Sequence, residues 1–491
     1  MTMLHAIAGT AALLMAGCSL QPVYQRPELP VAPHFPVGPA YDQAGGSPDQ
    51  RPAVEIGWRE FLGDPRLQRL VEIALANNRD LRVSALNVEQ VRAQYRIQRS
   101  ALLPQVGVAA DGSSSRTPES LSASRAPVVQ HAYSVAATIA WEIDFFGRLR
   151  SLSDAALQQY FASAEARKAF EILLVSQVAD QYLSVLAFDE LIHVTDLTLQ
   201  TAQASYDLTR RQFEAGTGNE LAVRQAQTVV QQAKANRAAQ VRGRAQVENG
   251  LVLLLGQPLP SDLPPPVALG DQQILADIPA GLSSDLLTRR PDVMQAEAQL
   301  RAANANIGAA RAAFFPTISL TGDLGTASSS LGGLFKGGSA AWSFLPSITI
   351  PIFNGGQLQA NLDVATLQRD INVAQYEKSI QTAFSEVADG LAARGTYGDE
   401  LAATESTVEA EQRALDLSQQ LFQNGVASYL TVLTAQNGLY SAQTALVSTR
   451  LARLINLVDL YRTLGGGWIE HTGDAPRPAD ADVAAVASSG N

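Results

Sequence analysis

The chain is written twice, and that repeat restricts its fold more than any other feature. Displaced by 209 positions, residues 147–256 fall on residues 356–465 without a gap. Ser176-Gln-Val-Ala-Asp180 meets Ser385-Glu-Val-Ala-Asp389, Phe213 and Gly216 meet Phe422 and Gly425, and Leu255-Gly256 meets Leu464-Gly465. Upstream the displacement becomes 212, so that Asp80 meets Asp292 and Pro104 meets Pro316. Two copies of one unit must run through the same order of elements.

That order is helix, strand pair, long helix, tight turn, return helix. The opening helices are expected over 65–103 and 282–315, and Pro104 and Pro316 end them because proline drives its predecessor out of the helical region. Period-2 alternation follows at 105–116 and 132–144, and again at 317–328 and 341–353. Ser319, Thr321 and Asp323 alternate with Ile318, Leu320 and Leu324. The long helices are expected over 148–214 and 357–423, each 67 residues without proline, or roughly 100 Å at full helical rise. Both carry apolar residues every seven positions: Ile192, Leu199, Tyr206 and Phe213 in one, Leu401, Val408, Leu415 and Phe422 in the other. A seven-residue step predicts helices supercoiled against partners.

Composition removes several classes. A net charge of −11 opposes the phosphate-neutralising surface that nucleic acid requires. One cysteine in 491 residues excludes a disulfide framework, and no uninterrupted apolar run of about 18 residues argues for a helical span. The five histidines (His5, His34, His131, His193, His471) form no metal-binding pair, and Gly332 to Gly338 lacks phosphate-loop spacing. No enzyme, metal or cofactor is expected. At the N-terminus an apolar stretch leads into Leu14-Met15-Ala16-Gly17-Cys18. This resembles a bacterial lipobox, which implies a signal peptide over 1–17, a covalent palmitoyl lipid on Cys18 and, with Ser19 next, sorting to the outer membrane. Residues 18–64, rich in proline, read as a lipid-anchored extended strap.

Four strands of about 12 residues are long enough to cross an outer membrane when tilted. Four cannot close a barrel, and an open edge in lipid leaves backbone groups unpaired at several kcal/mol each. Two chains give eight strands and a filled interior; three give twelve and a lumen. The expected fold is therefore an α+β membrane protein. It combines a trimeric 12-stranded transmembrane β-barrel, four strands per chain, with a 12-helix periplasmic α-barrel and two internal repeats. The divisions are repeat 1 over 65–256, a linker over 257–281 in an equatorial region, repeat 2 over 282–467, and a flexible tail over 468–491.

The run from Arg290-Pro-Asp-Val-Met294 to Phe315-Pro-Thr-Ile-Ser-Leu-Thr-Gly322 resembles the signature of the outer-membrane efflux duct family. Cys18-Ser-Leu20 and Leu464-Gly-Gly-Gly-Trp468 are similar to its lipoprotein branch, which serves resistance-nodulation-division (RND) pumps. The resemblance implies a homotrimer in the outer membrane of a Gram-negative bacterium. It would conduct drugs or other small molecules passively from an inner-membrane RND-type pump and a periplasmic adaptor, and so contribute to antibiotic resistance. A duct for type I protein secretion is the alternative, and a periplasmic spacer lipoprotein a third.

The two helix reversals are the candidate working surface. Gly216 and Gly425 suit the left-handed residue that ends a helix, and Asn219 and Ser428 suit N-caps. The resemblance makes Gly216, Thr217, Gly218, Asn219, Asn424, Gly425, Val426, Ala427 and Ser428 an adaptor-docking tip. Leu430 is assigned to an apolar periplasmic gate, with Tyr429, Thr434 and Leu221 around it. The family often carries an Asp four residues after the gate leucine; here that position is Thr434. Trp141, Phe145, Trp342 and Phe344, near the expected strand ends, are read as membrane-interface aromatics in contact with outer-membrane lipid.

Overall fold

The computed structural model describes residues 20–41, 52–275 and 284–474. The expected signal peptide, Cys18, linker residues 276–283 and residues 475–491 of the expected tail lie outside the described residues. In chain order the helices are α1 (Pro65–Asn77), α2 (Arg79–Ser100), α3 (Arg148–Glu214), α4 (Glu220–Leu255), α5 (Pro291–Ala312), α6 (Gln357–Gln423) and α7 (Tyr429–Thr463). The strands are β1 (Gln105–Thr117), β2 (Val128–Ile143), β3 (Thr317–Ser328) and β4 (Ala340–Thr349). The long helices have the expected bounds. The chain divides into two units, and α2, α3, α5 and α6 contribute residues to both.

The first unit comprises Met1–Glu28, Asn87–Ser163 and Gln295–Glu377. It holds one antiparallel sheet of order β1-β2-β3-β4. The first hairpin pairs further than alternation indicated: β1 runs one residue past 116, to Thr117, and β2 starts at Val128 rather than 132, which leaves a loop of 118–127. Conversely β4 stops at Thr349 rather than Phe353, since Pro351 has no N–H to give the ladder. Pro346 is tolerated inside β4 because that strand lies at the sheet edge. On the helical side of this unit, the strap docks against α5. Glu297, buried, accepts from Arg26 (2.6 Å to Nη2), Arg301 (2.7 Å) and the Tyr24 hydroxyl (3.2 Å). Burial alone would raise the Glu297 pKa, but the two guanidiniums outweigh it and hold the carboxyl below its ordinary value.

The second unit comprises Leu29–Leu86, Ala164–Met294 and Lys378–Asn491. Its core joins Trp58, Phe61, Leu67 and Leu70 to Leu174, Val178 and Leu183 of α3, Leu255 of α4 and Val458 and Tyr461 of α7. Phe61 stacks on Tyr461 with centroids 3.9 Å apart. Asp64 caps α1 through the amides of Arg66 and Leu67 and accepts the Tyr182 hydroxyl at 2.8 Å. One stretch of α3 is apolar enough to pass for a membrane span by length and composition, although polar residues interrupt it; 61% of it is buried inside the protein. It is core.

Two expectations need correction. The helix expected over 65–103 is broken at Asn78, and in the second repeat a 3₁₀ turn, Ser284–Arg289, precedes α5. Asn78 donates from Nδ2 to Leu254 O (2.9 Å) and accepts from Leu81 N (2.8 Å), so it ends one helix and caps the next. Its counterpart under the 212 displacement is Arg290, whose Nη1 donates to Thr463 O (2.8 Å), the counterpart of Leu254. The same joint is pinned twice by different chemistry. The tail expected to be flexible from residue 468 is instead held to Asp474. Trp58 N and Arg59 N donate to Ile469 O and Glu470 O, and Gly57 N donates to Thr472 Oγ1.

Candidate functional site

Pairing partners in an antiparallel sheet share a face, so register alone sorts every strand residue. One face carries Val106, Val108, Val135, Ile139 and Trp141, then Ile318, Leu320 and Leu324, then Trp342, Phe344 and Ile348. The other carries Asp111, Ser134 and Thr138, then Ser319, Thr321 and Asp323, then Ser343 and Ser347. Asp323 accepts from the Ser343 hydroxyl at 2.8 Å. The apolar face is open to the surroundings, with Trp342 78% exposed. Both outer strands, β1 and β4, leave one edge unpaired among the described residues. An amphipathic sheet with two free edges is a wall waiting for neighbours.

Of the four aromatics, Trp141, Trp342 and Phe344 share the apolar face. Trp141 lies two residues from the end of β2 and donates from Nε1 to Leu102 O at 3.1 Å. Phe344 is the fifth of ten residues of β4, mid-strand rather than at its end. Phe145 follows β2 and packs edge-on against Phe146 at 5.2 Å. Ile350, Ile352 and Phe353, beyond β4, are also exposed. They extend the exposed apolar surface past the end of β4, and the alternating run Ile348, Ile350, Ile352 was its signal.

The helix reversals, in the second unit, are one backbone design used twice. Gly216 (φ 73°) and Gly425 (φ 72°) occupy the left-handed region. Thr217 N and Gly218 N both donate to Gln212 O, as Val426 N and Ala427 N both donate to Leu421 O. Asn219 caps α4 by accepting from Ala222 N at 2.9 Å. Ser428 occupies the N-cap position of α7 without a side-chain cap bond. Asn424 and Val426 are exposed at the turn, and Val426 is apolar.

The gate residues separate. Leu430 is 54% exposed and Leu221 66%. Thr434, also exposed, donates its hydroxyl to Leu430 O at 3.0 Å. Tyr429, however, is only 3% exposed and packs edge-on against Phe422 at 5.6 Å, in a cluster with Leu415, Val432 and Ala226. Burial pushes its phenol up to about 12. It holds the hairpin together and does not face an opening. Tyr440 stands seven residues after Leu433 and seven before Val447 in the apolar stripe of α7. That spacing did not show that its hydroxyl meets Thr195 Oγ1, Asn236 Nδ2 and Gln240 Nε2, each at 3.2 Å.

The profile of the family described as outer membrane efflux protein matches residues 70–257 and 282–466, once on each repeat. The chain belongs to that family. Among relatives of this outer membrane efflux protein, the antibiotic efflux pump outer membrane protein ArpC of Pseudomonas putida is 48% identical over 476 residues. That match covers 96% of this chain and 97% of ArpC. The toluene efflux pump outer membrane protein TtgC of the same species matches to the same extent. The open-state MtrE outer membrane channel of Neisseria gonorrhoeae superimposes with a TM-score of 0.84 at 40% identity, covering 93% of this chain and all of that one. This outer membrane efflux protein is a transport conduit of the outer membrane, not an enzyme.

Proposed function

We propose that three copies of this chain join their sheets edge to edge into one twelve-stranded barrel, with the paired long helices forming a twelve-helix periplasmic tube. The assembly would pass small organic molecules outward from an RND-type inner-membrane pump through a periplasmic adaptor. The observation that carries this reading is the sheet: one apolar face, one polar face and two free edges. Apolar side chains meet hydrocarbon, polar ones line water, and closure satisfies the edges. The relatives named for antibiotics and toluene support drugs and solvents as the cargo class rather than protein.

The two reversals would ring the periplasmic mouth, with Gly216 to Asn219 and Asn424 to Ser428 meeting the adaptor. Leu430 and Leu221 would form the apolar constriction, since a narrow hydrophobic ring resists wetting. Acylation at Cys18 gains support from the strap: Leu20 O accepts from Arg311, one residue before α5 ends and six before β3 begins. A lipid two residues upstream would reach the leaflet beside the sheet.

Planar-bilayer recording tests the conduit. Purified wild type should form trimers and pass current. Leu430→Ala should raise closed-state conductance and dye leakage, whereas an unchanged closed current would reject Leu430 as a gate. Tyr429→Phe should leave the current at its wild-type level, because the ring packs inward.

A further inference from the structure

Resting on the barrel reading above, we propose that the helix–strand junction of the first unit binds the phosphate headgroups of acidic phospholipids in the periplasmic leaflet. Arg99 and Arg311 would hold them. The two arginines are repeat counterparts, displaced by 212, and each stands five residues before the proline that ends its helix segment. Both are exposed, in the last turn of α2 and of α5. Neither forms an ion pair among the described residues. Their neighbours at the same junction do: Arg148 meets Glu142 at 2.8 Å and Arg150 meets Asp144 at 3.2 Å. Those paired acids leave Arg99 and Arg311 as uncompensated positive charge.

What lies beside them identifies the partner. Leu103, Phe314 and Phe315 follow the arginines and are exposed, as are Ile352 (94%) and Phe353 just past β4. Beyond them begins the apolar face of the sheet. Cation, then aromatic and aliphatic collar, then apolar wall is the order in which a bilayer presents phosphate, interface and hydrocarbon. A last-turn arginine also suits the helix dipole, but that role needs no exposed collar next to it. The outward direction comes from the strap. Arg311 Nη1 donates to Leu20 O at 3.4 Å, and Asn304 Nδ2 donates to Pro22 O at 2.7 Å. The strap therefore runs along the Arg311 side of α5, and a strap leading to a membrane anchor must lie outside the tube. Arg99 occupies the equivalent side in the other repeat. Each arginine near an anionic surface should favour binding roughly fivefold.

The test uses the full-length trimer in vesicles of phosphatidylcholine mixed with phosphatidylglycerol, with retained lipids counted by native mass spectrometry after extraction. Wild type should retain phosphatidylglycerol preferentially. The double variant Arg99→Gln, Arg311→Gln should lose that preference by roughly fivefold per arginine, and Arg99→Lys, Arg311→Lys should keep most of it. Equal preference in wild type and the glutamine variant overturns the proposal. Should the glutamine variant fail to assemble, wild type alone decides, because electrostatic preference must collapse at about 1 M salt; a salt-independent preference overturns it. Conductance in pure phosphatidylcholine separates the levels. No current from wild type would sink the barrel itself, whereas a conducting barrel with no lipid preference sinks only this inference.

Discussion

Arg290, its own side chain 8% exposed, makes four bonds to two partly exposed carboxylates and a carbonyl. It donates twice to Asp292, once to Glu386 at 2.8 Å and once to the last carbonyl of α7, Thr463 O. Arg290→Met leaves two carboxylates, which water can partly reach, and a buried helix end without their partner; each charge-assisted bond lost is worth at most about 1.5–3 kcal/mol. Asn78→Ala, at the counterpart joint, loses neutral hydrogen bonds worth about 1–3 kcal/mol. Thermal melts of the helical signal should therefore rank Arg290→Met below Asn78→Ala, and the reverse order would refute the assignment of the charged joint. Asp180 makes a different prediction. Burial first, then the Asp459 carboxylate, push it up to about 7, with Arg462 and a Ser176 hydrogen bond opposing them. One of its oxygens is buried without a hydrogen-bond partner. An acid raised in the folded chain keeps a proton that the unfolded chain has released, so stability falls as pH rises from about 4 towards 7. Asp180→Asn should flatten that slope relative to wild type, read as the difference in melting temperature between pH 5 and pH 8.

Among the elements, the docked strap depends on one buried carboxylate. Glu297 has a lowered pKa, so its contribution is present above the unfolded value of about 4.3 and is lost as pH falls through the folded value. Glu297→Gln should speed amide exchange across residues 21–28 at neutral pH, and wild type should show the same loosening only in acid. The strap's extended character was legible from its prolines, but its partner was not, because Arg26 and Glu297 stand 271 residues apart. The long helices were legible because no proline or helix-ending glycine interrupts them. The breaks at Asn78 and Arg290 were not, since each is imposed by a carbonyl more than 170 residues away. Alternation marked β3 and β4 plainly and brought β1 to within one residue of its end. Yet the Val128–His131 start of β2 did not show, because its pairing with Ser114 to Thr117 is set by register rather than by contrast within the segment. Tyr429 beside Leu430 illustrates the same limit at the turn: adjacent residues on a helix point apart, and only packing against Phe422 reveals which one turns inward.

For the whole molecule, the two faces of the sheet should respond oppositely to the same substitution. Val108→Arg places charge on the apolar face and should destabilise the assembled barrel by about 2–4 kcal/mol, seen as loss of trimer in detergent. Thr321→Arg, on the polar face, should leave the trimer intact and instead lower cation conductance. Equal tolerance at both positions would contradict the facing deduced from register. The free margins of β1 and β4 also have a consequence for the chain's journey outward. A solitary copy crossing the periplasm exposes adhesive ribbon on both sides and a greasy surface between them, the configuration most prone to clumping. Survival in transit thus favours letting the helices ripen first and postponing the ribbon until companions and lipid are both at hand.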